Sequence, residues 1–86
     1  MTPKELKHAQ KKLELTRNAI ELLARVGFAG ANMRDIAKQS GVSLGVLHYY
    51  FEDKRELIAS CVRLYKEEFI AALVASMSSP TTPERR

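Results

Sequence analysis

The chain has 86 residues, enough for one small domain whose thin core leaves little room for a large enclosed active-site cavity. Hydrophobic residues make up 45% and charged residues 28% of the chain, proportions that are typical of a globular domain and argue against disorder throughout. The net charge of +4 comes from residues 1–50, where eight Lys and Arg outnumber four Asp and Glu, because residues 51–86 hold six of each sign.

The first predicted helix covers residues 5–26. Thr2 can cap it, and Glu5 can complete a capping box with Thr2. Apolar positions then recur at helical spacing, and these are Leu6, Ala9, Leu13, Thr16, Ala19, Ile20, Leu23 and Ala24. Residues 1–10 are more polar, so they form either a basic N-terminal arm or the start of this helix. Gly27 is placed to end the helix in a left-handed conformation.

Two short helices follow. Asn32 with Asp35 is a second capping pair, and it opens a helix that stops at Gly41. Ser43 is another N-cap candidate, and it opens a helix over residues 44–51. The core candidates of this helix are Val46, Leu47 and Tyr50 or Phe51. Helices this short are not stable alone in water, so both must be held by packing against their neighbours.

A long fourth helix is predicted over residues 53–77, where Asp53 and Glu56 form a further capping pair. Its broad apolar face holds Leu57, Ile58, Cys61, Leu64, Tyr65, Phe69, Ala72 and Leu73. A three-helix bundle can cover only the start of this face, so we expect the residues from Tyr65 onward to need another partner. Residues 78–86 are polar and interrupted by proline, which predicts a disordered tail.

The junction between the two short helices is the segment that indicates a function. Gly41, Val42 and Ser43 form a short turn between two helices, which is the helix-turn-helix arrangement. Gly41 permits a left-handed backbone, Val42 fills the space beneath the turn, and Ala37 lets the helices cross closely. Ser43 caps a helix end whose free N–H groups and partial positive charge suit a phosphate. An ordinary helical hairpin inside a small bundle is the alternative interpretation of these residues.

A longer set of motifs surrounds this turn. It consists of Asp35-Ile36-Ala37, Gly41-Val42-Ser43, Gly45, the pair Tyr50-Phe51, and Lys54 before Glu56-Leu57. These motifs resemble the N-terminal DNA-reading domain of the TetR/AcrR family of bacterial transcription regulators, and the resemblance extends over residues 9–75.

The resemblance implies an all-α fold and a DNA partner. Residues 11–55 would form a three-helix bundle in which helices two and three are the helix-turn-helix, followed by the longer fourth helix. That helix would lead to a ligand-binding, dimer-forming domain, so we expect this chain to be a reading head that lacks its effector domain. The implied partner is double-stranded DNA, with a palindromic operator for a homodimer. The implied function is sequence-specific regulation of transcription, usually repression.

Four positions implied by the resemblance are contacts near the DNA backbone. Asn32 would cap helix two near a phosphate, and Arg34 would reach a phosphate or a base from the exposed side of that helix. Tyr50 and Lys54 resemble phosphate contacts at the end of helix three and at the start of helix four. Tyr50 has a core position as its alternative.

The other implied positions lie on helix three, the recognition helix. The dipeptide Ser43-Leu44 opens this helix, and Gly45 resembles the position that lets it approach the groove closely. Val46 stands where Thr is common, so a contact with a thymine methyl group is expected there. His48 replaces a usual Tyr, and Tyr49 resembles a variable base-reading position.

Other classes of function are disfavoured. Cys61 is the only cysteine, which excludes an internal disulfide and a multi-cysteine zinc site, and its apolar helical setting predicts a buried thiol. No run approaches about 18 apolar residues, and the N-terminus has no apolar signal-peptide core, so we expect a cytoplasmic protein without a membrane segment. No pair of carboxylates, nucleophile–base set, Gly-rich phosphate loop or metal-ligand spacing is present. We therefore expect no enzyme, no cofactor, no metal and no small-molecule site in this chain.

Two alternatives concern the ends of the bundle. The basic residues Lys4, Lys7, Lys11 and Lys12 can be a solvated helix face or an arm that reaches the minor groove, and His8 is expected to be solvated. The alternative to DNA binding is a helical protein-interaction module that uses the apolar face of the fourth helix.

Overall fold

The computed structural model describes residues 2–78, and these residues form four α-helices. The helices are α1 (Pro3–Val26), α2 (Met33–Ser40), α3 (Leu44–Tyr50) and α4 (Lys54–Ser78). The predicted all-α fold, with two short helices between two long ones, is confirmed. The tail predicted over residues 78–86 lies, after Ser78, outside the described residues.

Reciprocal capping boxes start the first two helices, as the sequence predicts. Thr2 Oγ1 accepts the Glu5 N–H at 3.1 Å, and Glu5 Oε1 accepts the Thr2 N–H at 2.9 Å. At α2, Asn32 Oδ1 accepts the Asp35 N–H at 2.8 Å, and Asp35 Oδ2 accepts the Asn32 N–H at 3.2 Å. Helix α1 therefore begins at Pro3, and its basic first turns are helical.

The core lies where α1, α2 and α3 meet the start of α4. Its buried members are Leu15, Ala19, Leu22, Ala31, Ile36, Ala37, Leu47, Phe51, Leu57 and Cys61. Removing this apolar surface from water is the main stabilising contribution to a bundle of this size.

The buried face of α1 differs from the predicted stripe. Leu6 and Leu13 fit the helical spacing but are exposed, whereas the core takes Leu15 and Leu22 instead. All side chains of residues 2–10 are exposed, because the first turns of α1 extend past the core. In that part of α1, apolar residues at helical spacing are therefore not buried.

The turn between α2 and α3 has the predicted conformation. Gly41 is left-handed, with φ 71° and ψ 27°, and Val42 packs against the core. Ser43 Oγ accepts the Val46 N–H at 3.1 Å, which caps α3. Gly27 also has a positive φ of 82°, but its ψ of 166° is extended, so the left-handed helix end predicted there is wrong. The chain leaves α1 in an extended direction at Gly27 because it runs directly into the loop that leads to α2.

Helix α4 is buried only at its start. Leu57 is fully buried and Cys61 nearly so, whereas Tyr65, Phe69 and Leu73 are 68%, 58% and 50% exposed. The core formed with the other three helices reaches no further along α4. The apolar residues of its second half are therefore open to solvent, and no helix among residues 2–78 is long and apolar enough to cross a membrane.

Polar contacts tie α4 to α1 at Thr16. The Thr16 hydroxyl donates to the Lys12 carbonyl at 2.8 Å, so it accepts from Ser60 Oγ, which lies 3.0 Å away. The Cys61 thiol donates to the Thr16 carbonyl at 3.8 Å. Burial raises the pKa of this thiol, which is the inert core cysteine that the sequence predicts.

Candidate nucleic-acid interface

The outward side of α3 is the candidate recognition surface, and it is formed by Gly45, Val46, His48 and Tyr49. Leu47 in the middle of the helix and Phe51 at its C-cap are fully buried, which fixes the helix against the core. Val46 and Tyr49 lie on the opposite side, and they are 41% and 70% exposed. Phe51 is therefore a core residue, as predicted, whereas Val46 is wrong as a core candidate because it faces outward.

Gly45 leaves a bare strip of backbone on this surface. A Cβ atom built at Gly45 would meet only the Ser43 hydroxyl oxygen, at 3.9 Å, which is an ordinary contact. Packing inside the domain therefore does not require glycine at this position. The missing side chain matters only for a molecule that approaches α3 from outside, which is what a helix inserted in a groove needs.

His48 has one ring nitrogen engaged within the domain. Its Nδ1 lies 2.9 Å from the Glu52 carbonyl oxygen. A carbonyl oxygen can only accept, so Nδ1 carries the proton, and Nε2 is the acceptor of the neutral ring. The ring is exposed, and this hydrogen bond holds its orientation at the end of α3.

Tyr49 and Tyr50 form an aromatic cluster with His8 of α1. The ring centres of His8 and Tyr50 are 4.7 Å apart, those of His8 and Tyr49 are 5.7 Å apart, and the two tyrosine rings meet edge to face at 5.0 Å. Tyr50 is half-buried and packs against the core, so it is partly the core residue of the alternative interpretation. His8 is exposed, as the sequence predicts, but its contacts with the two tyrosine rings were not predicted. The only available signal was its position on the same helix face as Lys4, one turn earlier.

The start of α2 presents the other predicted backbone contacts. Asn32 and Arg34 are exposed, and the Asn32 side chain is the N-cap of α2. At the start of α3, Ser43 is exposed and caps the helix, while Leu44 is half-buried. Each helix start directs free backbone N–H groups outward, a geometry that suits phosphate oxygens.

Lys54 begins α4 and holds the loop between α1 and α2. Its ammonium group donates to the carbonyl oxygens of Phe28 and Ala31 and lies 4.1 Å from the centre of the Phe28 ring. Since an ammonium group has three N–H donors, one is left for an outside acceptor. Ala31 directly precedes the Asn32 cap, so Lys54 also supports the start of α2.

Two groups of predicted residues are thus brought together. Tyr49 and Tyr50 share the cluster with His8, and Lys54 reaches the loop that leads to Asn32. Within residues 2–78 no side-chain hydrogen bond joins Arg34 to either group. In the same range, no set of three His, Cys, Asp or Glu side chains is placed to hold a metal ion.

Charged side chains of both signs lie around these residues. The ion pairs within residues 2–78 are Lys11–Glu14, at 3.3 Å, and Arg17–Glu68. The first pair lies within α1, and the second joins α1 to α4. Lys4, Lys7 and Arg34 are exposed and belong to neither pair, while exposed acidic side chains also lie on α2 and around the end of α3, and these are Asp35, Glu52, Asp53 and Glu56. Unpaired basic side chains attract a polyanion at low ionic strength.

Comparison with known proteins gives a consistent set of matches. The family model described as bacterial regulatory proteins, tetR family, matches residues 15–61. The HTH-type transcriptional regulator PksA of Bacillus subtilis is 33% identical over 66 residues, which cover 77% of this chain and 32% of that protein. The HTH-type transcriptional regulator BetI of Proteus mirabilis is 30% identical over 78 residues, which cover 88% of this chain and 39% of that protein. The fatty acid metabolism regulator protein of Bacillus subtilis is 25% identical over 76 residues, 88% of this chain and 39% of that protein.

The matches cover only part of each relative. The chain spans about a third of the length of these curated relatives, with shares of 32% and 39%. No solved structure is significantly similar to the chain.

Proposed function

We propose that this chain, which belongs to the tetR family of bacterial regulatory proteins, is the DNA-binding part of a helix-turn-helix transcription regulator and that it binds specific sequences of double-stranded DNA with α3 in the major groove. The observation that carries the proposal is the division of α3 into two sides. Leu47 and Phe51 anchor it in the core, while Gly45, Val46 and Tyr49 are exposed. A major groove about 12 Å wide admits a helix presented in this way.

Under this proposal the contacts divide into those that position the domain and those that read bases. Positioning is assigned to exposed or half-buried residues near the helix starts and to the hydroxyl of Tyr50. These residues are Asn32, Arg34, Ser43, Leu44, Tyr50 and Lys54. Base reading falls to Val46, His48 and Tyr49. The Val46 methyl groups can make an apolar contact with a thymine methyl group, and the His48 Nε2 atom can accept a hydrogen bond from a donor on a base edge.

We propose that the regulator acts as a homodimer on a palindromic operator in the bacterial cytoplasm and that it represses transcription. One reading head contacts one half-site, and a two-fold dimer spans two half-sites about 34 Å apart. The exposed apolar residues of α4, from Tyr65 to Leu73, would be covered by a ligand-binding, dimer-forming domain, which supports the role of α4 as the link to it.

The test is selection of bound sequences from random duplex DNA, followed by titration of the enriched sequence and of a shuffled one. Tyr49→Ala should weaken binding to the enriched sequence by about tenfold and leave the shuffled duplex unchanged, because a base contact contributes about 1–3 kcal/mol of discrimination. Tyr65→Ala is the matched control, since Tyr65 on α4 is 68% exposed and Tyr49 is 70% exposed. Equal losses on both duplexes with Tyr49→Ala would remove Tyr49 from base reading.

A protein-interaction module is the second candidate function. It is favoured by the exposed apolar residues of α4 and by an apolar groove of about 450 Å³ between α1 and α4, which Ile58, Val62 and Tyr65 help to line. Absence of binding to mixed DNA at low salt would reject DNA binding and leave this candidate. In that case Tyr65→Ala, and not Tyr49→Ala, would be the disruptive substitution.

A further inference from the structure

The first turns of α1 contact the end of α3. All side chains of residues 2–10 are exposed, so burial in the core does not hold this segment. The Thr2–Glu5 capping box closes its first turn, and it contacts α3 through the rings of His8 and Tyr50, whose centres are 4.7 Å apart. The segment also lies before residues 15–61, which match the family model.

Basic side chains surround this contact. Lys4 and Lys7 lie three residues apart on α1, a spacing that puts them on one side of the helix. Together with Tyr49 and Tyr50 they line a cleft of about 350 Å³. Glu5 is the one acidic group among the residues that line it, and its carboxylate accepts the backbone N–H of Thr2.

We propose that the segment from Lys4 to His8 is a second part of the DNA interface. In this arrangement Lys4 and Lys7 bind backbone phosphates beside the groove that α3 enters. His8 is a positioning residue that holds the Tyr49 and Tyr50 rings in place. The inference rests on the proposed function, because it takes α3 as the helix in the major groove.

Duplex DNA is the partner that fits this surface. The two lysines and the Tyr49 and Tyr50 rings line one cleft, so the lysines lie beside the outward side of α3. Phosphates border the major groove along both edges. A groove-bound α3 therefore places its C-terminal end, with these rings, near a row of phosphates. The positive charge of the segment complements that row, whereas its lack of exposed apolar clustering gives a protein partner little to bury.

The lysines are tested by the salt dependence of binding. For the double variant Lys4→Gln/Lys7→Gln, the slope of log K against log salt should fall by about 1.8, since each phosphate contact contributes about 0.9. The loss of affinity should be about tenfold larger at 50 mM than at 200 mM salt, on enriched and shuffled duplexes alike. The control variant Arg63→Gln/Lys66→Gln removes the same charge from α4 and should leave the slope unchanged. An unchanged slope in the first variant, or equal slopes in the two variants, would overturn the lysine contacts.

His8 is tested by specificity. His8→Ala should lower the ratio of enriched to shuffled affinity by about two- to tenfold, and His8→Phe should restore it, because an aromatic ring at this position keeps the stacking. The urea midpoint of unfolding should not change, since His8 is exposed. An unchanged ratio with His8→Ala would overturn the positioning role.

Failure of the proposed function and failure of the inference about α1 give different results. If the wild-type chain binds no duplex at low salt, the proposed function fails. If the wild-type chain binds specifically and the variants at positions 4, 7 and 8 behave like it, only the inference about α1 fails.

Discussion

Replacing Lys54 with methionine separates its contact with the loop between α1 and α2 from its proposed contact with DNA. Methionine keeps much of the length of the side chain but removes the ammonium group, so the carbonyl oxygens of Phe28 and Ala31 lose their donor. If Lys54 only bound DNA, the substitution would change affinity and leave the free domain as stable as before. Because it also holds the loop that leads to α2, we expect Lys54→Met to destabilise the domain itself.

The magnitude follows from the contacts. Two hydrogen bonds contribute about 0.5–1.5 kcal/mol each. The ammonium group over the Phe28 ring, 4.1 Å from its centre, adds about 0.5–1 kcal/mol. Lys54 is only half-buried and water can reach the loop, so the lower part of the summed range applies, about 2 kcal/mol. For a domain of this size such a loss lowers Tm by about 10 °C.

Urea unfolding followed by far-ultraviolet circular dichroism measures this loss. The midpoint should fall with an unchanged m-value, because the surface exposed on unfolding stays the same. Lys66→Met, on the exposed part of α4, is the control and should leave the midpoint unchanged. If Lys54→Met keeps the wild-type midpoint while the salt slope of DNA binding falls by about one, the reasoning is refuted and Lys54 acts on phosphate alone.

Three further predictions concern the loop, the core and the start of α1. Gly30→Ala should lower the urea midpoint by the equivalent of about 1–3 kcal/mol, because a Cβ at Gly30 would lie 2.3 Å from the Val26 carbonyl oxygen and the loop would have to shift. Cys61 should react slowly with a thiol-alkylating reagent in the folded protein and at the rate of a free thiol in urea, because burial covers the sulfur and raises its pKa. Because the thiol ionises at a lower pH in the unfolded chain than in the folded protein, stability falls as the pH rises from the unfolded-state pKa through the folded-state pKa. The hydrogen bond from the Thr2 backbone N–H lowers the pKa of Glu5. The resulting contribution to helicity is present at neutral pH and lost as the pH falls through the folded-state pKa, a dependence that Glu5→Gln should abolish in circular dichroism.

Each of these has a result that contradicts it. A wild-type midpoint for Gly30→Ala would mean that the loop adapts without cost. Fast alkylation of Cys61 without urea would place its sulfur at the surface. An acid transition in helicity that survives in Glu5→Gln would assign the titration to another carboxylate.

Local rules account for the parts of the fold that the sequence predicts. The caps of α1 and α2 and the left-handed turn at Gly41 depend on residues within four positions of one another, so their chemistry can be recognised in the chain. The burial of Leu47 and Phe51 follows in the same way from the helical period, once the turn has set the direction of α3.

The parts that were missed depend on distant neighbours. Leu13 has the right spacing for burial but is 41% exposed, whereas Leu15 is fully buried in the core. The spacing of apolar residues identifies one face of a helix, but it does not show which part of the fold packs against that face. The contacts of His8 with Tyr49 and of Lys54 with the Phe28 carbonyl likewise depend on how helices and loops meet, which no local pattern encodes.

The division of α3 into anchor and surface has an evolutionary consequence. Leu47 and Phe51 supply the burial, and the exposed positions Gly45, Val46 and Tyr49 contribute little to it. Substitutions at exposed positions of this kind usually change the free energy of unfolding by less than about 0.5 kcal/mol. If α3 reads bases as proposed, a lineage can therefore change its preferred target one side chain at a time while the scaffold stays folded. For the same reason, a library randomised at these three positions would sample new specificities with few unfolded members.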